Sequence, residues 1–202
     1  MAELTPMMKQ YFEIKNKFKD YILFYRLGDF YEMFYEDAKL ASRELELTLT
    51  GRDCGQEERA PMCGVPFHSY EGYVARLIRK GYKVAICEQI GDPKTTKGLV
   101  KREIVRMITP GTLIDASMLD ENNNNFLACI YSDSQAAAVC FADISTGQVF
   151  ATACEQREEL YSELGRFTPR EVLLGGAGCV DTALQTFISK RLEGICSPLP
   201  EN

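Results

Sequence analysis

Apolar and polar positions alternate along this 202-residue chain in short segments whose period changes repeatedly. "TPMMKQYFEIKNKF" opens with Thr5 as an N-cap and Pro6 at the first helical position. Its apolar residues at 7, 8, 11, 12, 14 and 18 form a helical stripe. "YILFYRLG" reads as a buried strand closed by Gly28. "DFYEMFYEDAKLASRELEL" reads as the next helix, with Asp29 as N-cap and Glu32 at the third position of a capping box. "TLTGR" is a short strand, and two prolines keep "PMCGVPFHS" extended. Ser69 caps the helix "YEGYVARLIRKG", and Gly81 suits its left-handed C-terminal position. "KVAICEQI" is nearly all apolar, as a strand buried on both faces is, and "EIVRMITPG" is the last strand of this half.

The acidic, asparagine-rich "TLIDASMLDENNNN" has no period and reads as a linker over 113–125. "NFLACIYSD", "AAAVCFADIST" and "GQVFATACE" follow as three strands joined by turn residues. "REELYSELGRF", "REVLLGG" and "DTALQTFISKRL" then give helix, strand and helix. Three antiparallel strands followed by alternating helix and strand is a ribonuclease-H-like order. The expected class is α/β, with a mixed-sheet domain and surrounding helices over 1–112 and a ribonuclease-H-like domain over 126–202.

Composition changes this picture in three places. No run of about 18 uninterrupted apolar residues is present, and the N-terminus lacks the features of a signal peptide, so the expected location is the cytoplasm, with no membrane partner. The eight cysteines include no C-x-x-C pair and the chain has one histidine, so they read as small buried hydrophobes in a reducing compartment, with no metal site. The net charge of −6 hides an asymmetry. Residues 1–112 carry 18 Lys and Arg against 16 Asp and Glu, whereas 113–202 carry 5 against 13. Only the first half is a plausible binder of a polyanion, and it needs local basic patches to be one.

The candidate chemistry concentrates in "YRLGDFYEMFYEDA". On a helical wheel Tyr31, Phe34, Tyr35, Ala38, Ala41 and Leu45 cluster on one side as core candidates. Phe30 falls off that stripe and Glu32 falls on the polar side, which leaves Phe30 either a satellite packing contact or an exposed ring for a partner. "GDPKTTKG" does not meet the phosphate-loop pattern. It is a solvated basic loop or a phosphate contact within the densest basic run, Lys94, Lys97, Lys101, Arg102 and Arg106. His68 has no partners that would make it a catalytic base. Asp143, with Asp133 and Glu171 as helpers, admits an alternative function as a metal-dependent nuclease built on the ribonuclease-H-like domain. The strand-end position of Asp143 beside "STG" favours a turn role instead.

Five ordered blocks, "FYRLGDFYEMFYEDA", "PMCGVPFHS", "VAICEQIGDP", "VKREIVRMITPGT" and "DISTG", resemble the bacterial MutS family of DNA mismatch recognition proteins. The resemblance covers essentially the whole chain. It implies a mismatch-recognition domain over 1–112 and a truncated connector domain over 126–202, together an N-terminal fragment. It further implies that Phe30 and Glu32, as a Phe-x-Glu motif, enter the minor groove at mispairs and small insertion or deletion loops, and Arg52, Met62, Phe67, His68, Arg76, Lys97 and Arg106 then contact the DNA backbone. The family often carries tyrosine where Phe67 stands, so a contact through that hydroxyl is missing here. The implied partners are mismatched double-stranded DNA and MutL. The intact protein is expected to be a nucleoid-associated homodimer, an ATPase using ATP and Mg²⁺. This chain alone is expected to be a monomer without cofactor or catalysis. A relative that recognises DNA junctions is the third possibility, and the intact Phe30-x-Glu32 argues against it.

Overall fold

The computed structural model describes residues 3–91, 98–116, 118–119, 123–133 and 135–199. Two compact units divide between Ile108 and Thr109. The first contains α1 (Pro6–Lys15), β1 (Tyr21–Leu27), β2 (Phe30–Phe34), α2 (Tyr35–Leu45), β3 (Thr50–Arg52), β4 (Ala60–Pro66), α3 (Tyr70–Arg79), β5 (Lys83–Gln89) and β6 (Arg102–Ile108). Its sheet runs β3-β4-β2-β1-β5-β6, and within it β1 and β5 are parallel while the other neighbours are antiparallel. The Thr5 hydroxyl accepts the Met8 N–H at 3.4 Å, so α1 begins where the cap and Pro6 place it. Gly81, at φ 84°, ends the segment after α3.

The segment "DFYEMF" departs from expectation. It is a strand, and α2 starts only at Tyr35. Leu27 pairs with Phe30 across the two-residue loop Gly28-Asp29, with Gly28 at φ 57°. A tight hairpin needs a positive φ at its first central residue, which glycine supplies without steric cost. Asp29 therefore caps no helix. Its carbonyl accepts the Phe67 N–H at 3.0 Å, and the residue preceding α2 is Phe34, without a side-chain cap.

One face of this sheet is covered by α1. Met8 and Tyr11 pack there with Leu23, Tyr25, Phe34, Ala85 and Cys87. The Tyr11 ring meets Tyr25 and Phe34 edge-on, at 5.6 and 5.1 Å between centroids. Such pairs add about 0.5–1.5 kcal/mol each beyond their buried area. Burial pushes the Cys87 thiol up to about 12 and the Cys63 thiol up to about 11, as inert core cysteines require. Cys179, by contrast, is exposed, which departs from the all-buried reading.

The second unit contains β7 (Phe126–Ser132), β8 (Ala137–Asp143), β9 (Gln148–Cys154), α4 (Arg157–Phe167), β10 (Glu171–Gly176), α5 (Thr182–Arg191) and β11 (Ile195–Pro198). The order β11-β10-β7-β8-β9, antiparallel through β7, β8 and β9 and parallel through β7, β10 and β11, is ribonuclease-H-like. Leu160 and Leu164 of α4 and Leu184 and Ile188 of α5 pack on Ile130, Val139, Phe141, Val172 and Leu174. β11 was not expected, and it extends the parallel half of the sheet. The division at 108/109 falls four residues before the expected end of the first domain at 112. A 3-10 turn, Pro110–Thr112, belongs to the second unit because Gly111 N–H donates to Glu171 at 3.1 Å and Asn125 donates to the Pro110 carbonyl at 2.8 Å. A Cβ at Gly111 would lie 2.8 Å from Glu171 Cβ, so only glycine permits that approach. Among the described residues no helix is long and apolar enough to cross a membrane.

Candidate functional site

The strand period reorganises the opening aromatic cluster. In a strand, residues two apart share a face. Phe30 and Glu32, placed on separate sides by a helical reading, therefore project together, while Tyr31 and Met33 point to the opposite face and are buried. Phe30 is 47% exposed, unusual for a phenylalanine beside a tight turn. Glu32 stands opposite Gly64 of β4, where a Cβ would lie 3.4 Å from the Glu32 Cγ. The tighter contact of such a Cβ, 3.2 Å, would be with the Tyr31 carbonyl oxygen.

Arg52, at the end of β3, reaches across β4 to Glu32. Its Nη1 donates to both carboxylate oxygens, at 2.7 and 2.5 Å. The Glu32 side chain is 13% exposed and that of Arg52 38%. Phe67 lies in the 3-10 turn Phe67–Ser69 after β4, tied to the hairpin by its N–H bond to Asp29. It is exposed, and the neighbouring His68 is exposed too, with its ring edge-on to Phe67 at 5.7 Å.

Three residues outside the expected set build the support behind this edge. The Arg26 guanidinium lies 3.7 Å from the Phe67 ring centroid, and its Nε donates to the Gly28 carbonyl at 2.5 Å. Its Nη1 is 3.6 Å from Glu88, which also accepts the Tyr31 hydroxyl. Burial first, and then the Glu88 carboxylate, push the Tyr31 phenol far above its ordinary value, so it stays a hydrogen-bond donor. A charged residue inside the apolar run "YILFYRL" was the available signal for Arg26. The Gly-Asp pair between two aromatic runs is a hairpin signal, masked here by the helical period that runs on through the same residues.

The other expected contacts are placed differently. Met62 is partly buried against the α1 cluster, and its carbonyl accepts the Thr50 hydroxyl at 3.1 Å. Arg76, exposed on α3, donates to the Leu45 carbonyl at the end of α2. Arg106 lies on β6 opposite Ile86. Lys97, like Lys94, lies outside the described residues. Arg102 is not a free surface cation but 6% exposed, donating to the Arg26 carbonyl at 2.8 Å and to Gln10 at 2.9 Å, against the Tyr25 ring.

The carboxylates of the nuclease alternative do not converge. Asp143 pairs with Phe126 at one end of β7, and Asp133 follows the other end, a strand length of roughly 20 Å away. Asp143 is 1% exposed and accepts from Ser145 N–H at 2.9 Å, Ser145 Oγ at 2.6 Å, Thr146 N–H at 3.3 Å and Asn125 N–H at 3.1 Å. Burial alone would raise this carboxyl, but the hydrogen bonds from Ser145, Asn125 and Thr146 together outweigh it and hold it below the ordinary aspartate value. Asp133 caps its own turn through Gln135 and Ala136, and Glu171 accepts from Gly111. Among the described residues no group of three metal-ligating side chains is close enough to hold an ion.

A mixed-sheet unit with an exposed ring at the end of its β1–β2 hairpin is followed in the chain by a ribonuclease-H-like unit, and each matches a domain of one family. The family model for MutS domain I matches residues 5–117, and that for MutS domain II matches 125–197. The chain belongs to the MutS family. It is 52% identical over its whole length to the DNA mismatch repair protein MutS of Acetivibrio thermocellus, of which it covers 23%. It is 55% identical over 94% of its length to the MutS of Caldicellulosiruptor bescii, covering 22% of that protein. Against the MutS of Clostridium botulinum strain 657 it is 58% identical over 85%, covering 18%. The chain thus spans about a quarter or less of these relatives' length.

Proposed function

We propose that this chain is the mismatch-sensing portion of a DNA repair protein, with Phe30 as the wedge and Glu32 as the group that tests the base beside it. The observation carrying this reading is that β2 presents an exposed ring and a carboxylate side by side while Tyr31 and Met33 anchor the same strand from behind. Inserting a ring between base steps costs a few kcal/mol of unstacking, and less where pairing is already defective. A softened step therefore accepts Phe30 more cheaply than intact duplex does. Glu32 opposes phosphate and gains only when a base presents a hydrogen-bond donor, so the pair penalises ordinary DNA as well as rewarding a mispair.

Arg52, Met62, Phe67, His68, Arg76, Lys97 and Arg106 are the proposed backbone contacts, fixing register while the wedge probes. In this reading Phe67 and His68 are the strongest of these, because they share the hairpin edge with Phe30, and Arg76 and Met62 are the weakest. In the intact protein, homodimerisation, ATP and Mg²⁺ use, and recruitment of MutL by the acidic second unit complete the proposal, in the cytoplasm near the nucleoid. The test is an anisotropy titration of the intact protein with G·T-mismatched and matched duplexes at fixed low salt. Tighter binding to the mismatch, lost in Phe30→Ala, is expected. Equal affinities unaffected by that change would sink the role assigned to β2.

A further inference from the structure

We infer that Arg52 is a counter-ion latch for Glu32 rather than chiefly a phosphate contact, and that a mispaired base must take the carboxylate away from it. This rests on the mismatch-sensing reading and assigns a regulating partner within the same site. Three observations carry it. One Arg52 nitrogen reaches both carboxylate oxygens, at 2.7 and 2.5 Å, so the guanidinium engages the whole acceptor edge of Glu32. The pair is asymmetric in exposure, with Glu32 at 13% and Arg52 at 38%, so the arginine can swing into solvent while the glutamate stays against Gly64. Finally, Arg52 terminates the edge strand β3, a position two strands from β2, and its side chain spans the intervening β4, on which Ala60 stands opposite Arg52 and Gly64 opposite Glu32.

The consequence is an exchange. On matched duplex the latch stays closed, and phosphates meet a nearly neutral pair instead of a bare carboxylate. At a mispair, a base donor takes one carboxylate oxygen and Arg52 is released towards the backbone. The latch therefore lowers the repulsion that Glu32 imposes on ordinary DNA and adds the cost of a broken ion pair to the mismatch complex. Discrimination is limited by it, since the matched complex is spared and the mismatch complex must break an ion pair.

The test is a double-mutant cycle in the intact protein, reading the ratio of matched to G·T dissociation constants by anisotropy. Arg52→Gln should raise that ratio about threefold to tenfold, the scale of one partly exposed ion pair gained or lost. In the Glu32→Gln background the same change should leave the ratio unaltered, because nothing remains to be latched. Arg52→Lys retains the charge but loses the planar fork, and its ratio should fall between those of wild type and Arg52→Gln. A simple phosphate contact predicts another pattern, in which Arg52→Gln weakens both duplexes equally in both backgrounds. That outcome overturns the latch while leaving the mismatch reading intact. A fall in the ratio, with Arg52 itself reading the mispair, overturns it too. A wild-type ratio of one sinks both. Thermal unfolding of each variant, expected to match wild type, separates these effects from misfolding.

Discussion

Glu32, at the middle of a strand in the first unit, and Asp143, at the end of a strand in the second, are both strand carboxylates, yet the fold uses them in opposite ways. Asp143 is buried and held chiefly by backbone N–H groups of Asn125, Ser145 and Thr146, which cannot leave without unfolding the turn. Glu32 is held by one flexible guanidinium whose own side chain is 38% exposed. A carboxylate consumed by backbone donors is structural, whereas one held by an exchangeable side chain keeps its acceptor capacity for a partner. An acidic residue on a strand is thus an ambiguous sign in sequence, and its donors decide the matter.

The widest separation between buried and exposed groups lies within β2 itself. Phe34 is fully buried against Tyr11 and Tyr25, and Phe30 is 47% exposed. Phe34→Ala should cost about 3–5 kcal/mol, measured by urea unfolding. Phe30→Ala should stay within about 0.5 kcal/mol, as surface changes do, while abolishing preference for a mismatch. Comparable losses at both sites would erase the distinction between the anchor and the proposed wedge.

Next in size is the pair of acids. Asp143→Ala removes acceptors from several amides at once and should destabilise the second unit by about 2–4 kcal/mol. Glu32→Gln should change stability by less than about 1 kcal/mol, since the partner it frees is solvent-accessible. Urea unfolding of the two variants sharpens or breaks the comparison, and a milder effect for Asp143→Ala than for Glu32→Gln would reverse it.

The legible parts of the molecule are those where one local signal dominates. Thr5-Pro6 sets the start of α1, Gly81 the end of the α3 segment, and the apolar run "KVAICEQ" gives β5. β2 is hidden because "FYEMFYEDAKLASREL" runs from strand into helix without a polar break, and a helical stripe drawn through Phe34 and Leu45 absorbs Tyr31 as well. Both periods bury Tyr31, but only the strand brings Phe30 and Glu32 together, so the candidate residues are nameable from sequence while their geometry is not. β11 is four residues long and ends in proline, too short for any period. The basic run misleads at Arg102 because composition cannot distinguish a buried guanidinium spanning Gln10 and Arg26 from one facing solvent.

Smallest in size, but sharpest in sign, is a contrast in pH dependence between Asp143 and Asp37. Asp37 is buried in the first unit, where it accepts the Leu23 N–H at 3.0 Å and the Lys15 ammonium at 2.9 Å. Burial outweighs both and holds its carboxyl above the ordinary value of 3.8. Asp143 is held below that same value. A carboxyl lowered on folding contributes stability that is present above 3.8 and lost as pH falls through the folded value. A carboxyl raised on folding does the reverse, favouring the fold at low pH and losing that contribution as pH rises from 3.8 through its own folded value. Acid should therefore loosen the turn after β8 while leaving the Leu23 amide protected. Amide hydrogen exchange, corrected for its intrinsic pH dependence, should show declining protection at Ser145 and Thr146 as pH falls below 3.8, with no matching decline at Leu23. Asp143→Asn should flatten the response of the turn, because an amide accepts some of the same hydrogen bonds without titrating. A parallel decline at both sites would mean that the whole chain unfolds together in acid, and the division of labour between the two aspartates would fall with it.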